Sequence, residues 1–359
     1  MLDNEVYNKD IFETVKRNID ILKEFNDASI LITGSTGFIG SFLVNIFILF
    51  NIHYNGRIKI IAVLRNIEKA KKLFLDVNTV VIINENIENI NVNNEKYDID
   101  YIFHCASPTS SKYFVTNPVE TLHTAYIGTK NILDIALRSK VKSMIFLSSL
   151  EVYGAFPEEK DKISENDYGI INIDNIRNSY SEGKRIAECL CYSYAHEYYV
   201  PIKIGRLTQI MGSGIEYSDN RVFAEFARNV VENNNIILHT NGNTKRNYCY
   251  ISDAVTAIMI IALKGNIGEA YNIANKDNYI SIKKLAERFV DLYKDNDLSV
   301  NYDIKDPIDF GYNPEIKINL DAEKLELLNW KAEVSLDDMI IRTINYMKNA
   351  KKTYKIQYR

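Results

Sequence analysis

Apolar residues in this chain fall into two recurring patterns. Short runs rich in β-branched residues read as buried strands: Ser29-Ile30-Leu31-Ile32-Thr33, then 58–64, 79–84, Tyr101-Ile102-Phe103-His104, 143–147 and 202–207. Between them lie longer stretches with helical spacing, ending near Phe50, running from Pro118 to Lys140, and running from the approach to Tyr180 as far as Tyr199. Strands alternating with helices predict an α/β fold with a parallel sheet. Ahead of the first strand, Ile11, Val15, Ile19 and Leu22 form a helical stripe. Residues 1–27 are therefore expected to be a helical extension that packs over one sheet edge. After residue 207 the alternation loosens, which predicts a smaller, discontinuous C-terminal lobe over 208–359. Some of its segments are expected to return to the domain formed by 28–207.

The first strand runs straight into Gly34-Ser35-Thr36-Gly37-Phe38-Ile39-Gly40 and then into an apolar helix. This is the dinucleotide-binding arrangement. Gly34 permits the tight turn, Gly37 lets backbone N–H groups approach a pyrophosphate, and Gly40 lets helix and strand pack closely. The flanking Thr36, Phe38 and Ile39 present their backbone at the helix N-terminus, where negative charge is favoured. The sheet is thus expected to be of the doubly wound Rossmann type. The second strand ends in Leu64-Arg65-Asn66 with no carboxylate at its tip. An acid there would hold a ribose 2′-hydroxyl, whereas Arg65 suits a 2′-phosphate, so NADP(H) is favoured and NAD(H) stays open. Asn86 and Ile87 follow the third strand where adenine would lie. Ala106 and Ser107 follow the fourth, their small size letting the cofactor cross the sheet. His104 reads as a bonded structural histidine.

Composition narrows the partners. The 359 residues carry a net charge of −4 and 46% apolar residues, giving no basic footprint for nucleic acid. Four cysteines (Cys105, Cys189, Cys191, Cys249) lack metal or redox spacing and read as reduced thiols, mostly buried. No metal site is expected. The richest apolar run, Val44 to Ile52, is interrupted by Asn45 and Asn51 and is too short to span a bilayer. With no signal peptide visible, a cytoplasmic protein without membrane partners is expected.

The candidate chemistry sits at Tyr180-Ser181-Glu182-Gly183-Lys184 and at Ser148-Ser149-Leu150-Glu151. A Tyr and a Lys four apart share a helix face, so the ammonium is expected to lower the phenol pKa toward neutrality. Ser149 and Glu151 close the fifth strand, at the carboxyl end where ligands bind in parallel sheets. The glycine turn, Ser149, Tyr180 and Lys184, in that order, resemble the extended short-chain dehydrogenase/reductase family and its nucleotide-sugar branch. The resemblance implies that Ser149 bonds the reacting substrate oxygen, that Tyr180 transfers its proton, and that Lys184 tunes the tyrosine and holds the nicotinamide ribose. Asn220-Arg221-Val222 resembles the family's nucleotide-contact segment, and Arg246 resembles its diphosphate arginine. Three positions depart from the pattern: Ala125, Gln209 and Asn86.

The resemblance leaves the reaction open between two outcomes. Leu150 stands where the family's dehydratases carry an acid, which disfavours dehydration. Glu151 is shared with UDP-glucuronate decarboxylases. Arg65 instead favours an NADPH-dependent reductase acting on a keto group of a nucleotide-linked sugar. Its substrate would be a CDP-linked ketohexose, giving a CDP-linked hexitol for bacterial surface polysaccharide. This reductase is the primary expectation. The alternative is a redox-neutral enzyme using bound NAD, first a UDP-glucuronate decarboxylase, then a 4-epimerase. A non-catalytic cofactor-binding protein is a third, weaker reading. By analogy with the family, a homodimer built on the helices near 118–140 and 178–199 is expected.

Overall fold

The computed structural model describes residues 2–90, 98–156, 158, 160–294, 297–304 and 315–357, with side chains described as far as residue 351. Seven parallel strands form the main sheet. They are β1 Ser29–Thr33, β2 Lys59–Leu64, β3 Val80–Asn84, β4 Tyr101–His104, β5 Ser143–Ser149, β6 Ile202–Leu207, and the strand Glu269–Ile273. From one edge to the other the order is Glu269–Ile273, β6, β5, β4, β1, β2, β3. Chain direction across the sheet therefore reverses between β1 and β4, which makes that crevice the topological switch point.

Both faces of the sheet are covered, which explains why the strands read as continuous apolar runs. Ile30, Ile32, Ile60, Ala62, Ile145 and Leu147 pack into one core, with the helices Phe38–Tyr54 and Ile251–Lys264. The alternate residues Leu31, Ile61, Val63, Met144 and Phe146 pack into a second core, with Thr129–Ser139 and Ser179–Tyr198. Alternation within each strand thus feeds two helical layers, giving an α/β fold of Rossmann type.

The structure corrects the sequence reading at several points. The N-terminal stripe breaks at Asn18 into helices Glu5–Arg17 and Ile19–Lys23. The first lies on helix Phe38–Tyr54 and on the C-terminal helix Leu336–Gln357, and no edge strand is among its main neighbours. Buried Asp10 ties the two ends of the chain together: Ser213 and Tyr250 hydroxyls donate to it, and Arg342 meets it at 3.0 Å. Strand β5 extends two residues beyond the expected Leu147, carrying Ser149 in regular strand register. The helix expected over 118–140 is two α-helices, Pro118–His123 and Thr129–Ser139, joined by one π turn, Thr124–Gly128. Of the free thiols, Cys191 and Cys249 are buried, Cys105 is half-buried and Cys189 is exposed.

Segments after β6 build smaller sheets beside the main one. Lys245–Tyr250 pairs with Gln209–Met211, Tyr279–Ser281 and Lys317–Ile318, while Ile236–Leu238 pairs with Val300–Tyr302. The strand Glu269–Ile273 returns from this region to the main sheet. Among the described residues no helix is long and apolar enough to cross a membrane.

Candidate active site

Strand ends assemble the cleft. Gly34 leaves β1 with φ of +61°, and a Cβ there would stand 2.8 Å from the Ala106 backbone. Glycine is required both for that conformation and for the close approach of the two strand ends. Gly37 N–H donates to Gly34 O at 2.9 Å, and a Cβ on Gly40 would collide with the same carbonyl oxygen. Helix Phe38–Tyr54 starts at Gly37 with no side-chain cap. A tight backbone cradle at a helix N-terminus, beside the switch point, fits the pyrophosphate of a dinucleotide. Adding one methyl group at Gly40 is therefore expected to strain the turn by about 1–3 kcal/mol. Gly40→Ala should lower both the unfolding midpoint and the dinucleotide affinity, read by thermal unfolding and calorimetry.

The remaining cofactor-side residues occupy the same carboxyl edge. Arg65 is exposed at the end of β2 and forms no hydrogen bond or ion pair among the described residues. Asn86 is exposed after β3, whereas Ile87 is buried against Gly128, where a Cβ would lie 2.5 Å from Ile87 Cδ1. Asn131 Nδ2 donates to the Ile87 and Glu88 carbonyls at 3.0 and 2.7 Å, and Thr124 donates to Glu88. The π turn thus pins the segment that follows β3. Such one-residue insertions recur at functional sites. Ala106 N–H donates to Thr33 Oγ1 at 3.2 Å, and Ser107 hydroxyl turns to the Pro108 carbonyl. His104 is buried between Thr33 Oγ1 at 2.6 Å and Thr129 Oγ1 at 3.2 Å. Burial first, and the Lys184 charge second, hold its pKa down to about 3, so it stays neutral.

The catalytic candidates come together at the mouth of this crevice. Ser149 accepts the Glu151 N–H at 3.3 Å, and its hydroxyl lies near enough to Tyr180 to favour the ionised phenol. Tyr180 lies one residue inside helix Ser179–Tyr198, its ring stacked on Phe114 at 4.3 Å and 9°. Gly183, on the next turn, faces Ala125 of the π turn, where a Cβ would come within 3.1 Å of the alanine methyl. A small residue at 125 thus seats the Tyr180 helix closely, in place of the polar contact the family pattern implies.

Lys184 does not act as expected. Its Nζ donates to Leu147 O at 2.7 Å and stands 5.8 Å from the Tyr180 ring centroid. Burial lowers the pKa of this ammonium to about 8. The Tyr180 phenol is raised above its ordinary value, by burial first and by the Glu151 charge second. The nearby Ser149 hydroxyl and the charges of Arg177 and Arg221 oppose that rise. The phenol is thus governed by this charge balance, and Lys184, committed to a carbonyl, does not bring it to neutrality.

Arginines act on this pair of groups: Arg177 and Arg221 on Tyr180, and Arg177 and Arg246 on Glu151. Arg221 pairs with Asp219 at 2.9 Å and lies 5.5 Å over Phe38 of the glycine turn, so it links that turn to the cleft. Its neighbour Asn220 is exposed. Arg246 sits on Lys245–Tyr250, half-buried, and its Nε is buried without a partner. Its charge acts on Glu151. An unpaired guanidinium nitrogen of this kind invites an anionic ligand. Arg177 was missed at the sequence level. It pairs with Glu151, 26 residues away, through two hydrogen bonds, one of 2.8 Å. The only local signal was an arginine three positions before Tyr180, a spacing that places the two on one helical face.

The cradle, the switch-point crevice and the Ser149-Tyr180 pair define a dinucleotide-dependent enzyme site at the carboxyl edge of the sheet. Comparison with known proteins makes this specific: residues 30–274 match the NAD dependent epimerase/dehydratase family, and the chain belongs to it. It is 29% identical over 335 residues to UDP-glucuronic acid decarboxylase 1 of Xenopus tropicalis, covering 92% of this chain and 74% of that protein. It is 29% identical over 315 residues to UDP-glucuronic acid decarboxylase 6 of Arabidopsis thaliana, covering 86% and 85%. Among solved structures, UDP-glucuronic acid 4-epimerase from Bacillus cereus, in complex with UDP-glucuronic acid and NAD, superposes with a TM-score of 0.74. That match is 22% identical and covers 89% of this chain and 99% of the epimerase. The chain is therefore an NAD-dependent enzyme of the nucleotide-sugar-modifying epimerase/dehydratase type.

Proposed function

We propose that the enzyme is redox-neutral: it decarboxylates UDP-glucuronic acid with a retained NAD. The observation that carries this reading is the decarboxylase match across 92% of the chain. The site is consistent with it, since the charges of Glu151, Arg177 and Arg221 act on Tyr180, and that of Arg246 acts on Glu151. The relatives named above are decarboxylases and an epimerase, so the balance moves away from net reduction of a keto sugar. Arg65, exposed and unpaired, no longer outweighs that comparison, and NAD replaces NADP as the proposed cofactor.

The residues divide the work as follows. The Gly34–Gly40 cradle would hold NAD, which would supply reversible hydride chemistry at the sugar carbon. Tyr180 takes the proton from the C4 hydroxyl as the ketone forms, and gives it back at the end. Ser149, close to Tyr180, orients that hydroxyl and stabilises charge on its oxygen. A ketone at C4 lies β to the carboxyl carbon, so the bond to CO2 breaks with its electrons entering an enolate. Protonation of that enolate at C5 completes the carbon skeleton. Glu151 is held below the usual carboxylate range: burial raises it, but the Arg177 bonds and charge, with Ser181 and Arg246, outweigh that effect. It therefore accepts hydrogen bonds and does not serve as an acid for dehydration. Arg246 and Arg221 are proposed for the diphosphate, with Asn220 beside them and residues 208–359 forming most of the nucleotide-sugar lobe.

We also propose a homodimer. Val119, Leu122 and Tyr126 line one exposed side of the 118–128 segment at 71%, 40% and 40% exposure, beside Ile186 of the Tyr180 helix at 44%. Sedimentation equilibrium should give twice the chain mass.

The reading is tested by incubating the protein separately with UDP-glucuronic acid, UDP-glucose and CDP-linked keto sugars, with NAD⁺ or NADPH, and weighing the products. Loss of CO2 from UDP-glucuronic acid without net cofactor change is expected. An unchanged mass with an altered sugar would favour epimerisation. Stoichiometric NADPH oxidation with gain of two hydrogens would restore the reductase.

A further inference from the structure

Arg177 occupies the turn Ile176–Asn178 that leads directly into helix Ser179–Tyr198. Its guanidinium engages both carboxylate oxygens of Glu151, and Ser181 Oγ donates to Oε2 of the same group at 3.0 Å. The pair is largely withdrawn from water, the two side chains being 11% and 18% exposed. The guanidinium carbon lies 5.7 Å from the Phe114 ring centroid, and Phe114 stacks on Tyr180. Ser179 hydroxyl donates to the Phe114 carbonyl at 3.1 Å, fastening helix Ser111–Thr116 to the first turn of the Tyr180 helix. One arginine therefore bonds the carboxylate and lies over the aromatic platform of the proposed base.

We propose that Arg177 is a positioning residue that locks Glu151 as an oriented carboxylate beside Tyr180 and cancels the repulsion this carboxylate exerts on the phenolate. The inference rests on Tyr180 being the proton-transfer group. Without Arg177, Glu151 keeps only the Ser181 hydrogen bond and the weaker charge effect of Arg246, so more of its negative charge bears on a second group that must become negative. A close opposite charge favours the ionised form, and a close like charge disfavours it. Other charges facing Tyr180 are fixed separately: Arg221 is held by Asp219, and Lys184 is held on the Leu147 carbonyl. Arg177 is thus the cation tied directly to Glu151. The direction of each effect agrees, with Glu151 raising the phenol and Arg177 lowering it. The fork matters as well as the charge, because two parallel N–H donors leave the carboxylate one orientation.

The test is the pH profile of kcat/KM for Arg177→Gln, Arg177→Lys, Glu151→Gln and the double variant Arg177→Gln/Glu151→Gln. Tyr180 must lose its proton to act as a base, so a raised phenol moves the acid limb to higher pH. Arg177→Gln should lose about tenfold more activity on the acid limb than on the plateau. Arg177→Lys keeps the charge and should restore most of the limb position. Glu151→Gln should move the limb the other way, and the double variant should return toward wild type. Uniform loss at every pH, or a double variant whose losses simply multiply, would overturn the inference. If Arg177→Gln does not fold, the shift in Glu151→Gln decides, and an unmoved limb there would also overturn it. Tyr180→Phe is measured alongside. Retention of its rate would remove the base on which the inference rests, whereas its loss with unmoved limbs in the Arg177 variants would sink the Arg177 role alone.

Discussion

Tyr180→Phe is expected to reduce turnover about 10³-fold, within the range for loss of a positioned acid–base group, while leaving dinucleotide affinity nearly unchanged. The substitution keeps the ring, so the stack on Phe114 at 4.3 Å should survive and the helix should still seat through Gly183 and Ala125. Only the hydroxyl beside Ser149 is lost. The pyrophosphate cradle at Gly34–Gly40 belongs to a different strand end and does not depend on the phenol. Steady-state kinetics and calorimetry separate the two effects. A variant that keeps most of its rate would show that another group moves the proton.

Arg206→Leu is expected to give the largest loss of stability. Arg206 is fully buried on β6 and meets Glu188 of the Tyr180 helix at 2.7 Å. Its remaining donors go to Tyr153 hydroxyl at 3.1 Å, Glu165 carbonyl at 2.8 Å and Tyr168 hydroxyl at 3.3 Å. The guanidinium carbon lies 5.0 Å from the Tyr153 ring and 5.5 Å from that of Tyr168. Removing the cation leaves the Glu188 carboxylate buried and unpaired, which costs about 3–5 kcal/mol. The double variant Arg206→Leu/Glu188→Leu should recover part of that loss, because the stranded charge disappears with it. Urea unfolding of both variants measures the difference. Because Glu188 sits on the same helix as Tyr180, the single variant should also lose activity below its unfolding transition.

What the chain revealed at the level of sequence was local. The strands of 29–33, 101–104 and 202–207 and the glycine turn could be read because β-branched runs and the Gly34, Gly37 and Gly40 spacing act within a few residues. Features that depend on distant pairing were hidden. Arg177 becomes meaningful only when Glu151, on another strand end, is brought beside it. Glu188 and Arg206 become partners only when β6 is placed beneath the Tyr180 helix. The π turn at Thr124–Gly128 adds one residue to a helical turn without breaking the apolar pattern, so periodicity passed over it. The lysine effect on Tyr180 failed for a related reason: spacing puts Lys184 on the right face, but the nearby Leu147 carbonyl decides where its ammonium points.

Arg65 carried the expectation of a reductase, and the comparisons favour the alternative. The absence of an acid at the end of β2 was a sound reason to consider a 2′-phosphate. An exposed arginine is compatible with either cofactor, and similarity to decarboxylases over nearly the whole chain carries more weight. The proposed chemistry now turns on whether the hydride removed from the sugar returns to it.

That is measured most directly with UDP-glucuronic acid carrying deuterium at C4 and ¹³C in the carboxyl group, incubated with enzyme, NAD⁺ and an excess of unlabelled NADH. The account predicts ¹³CO2 release and a pentose product that keeps its deuterium, since the hydride never leaves the site. Deuterium appearing in the free NADH pool, or turnover with no ¹³CO2, would contradict it.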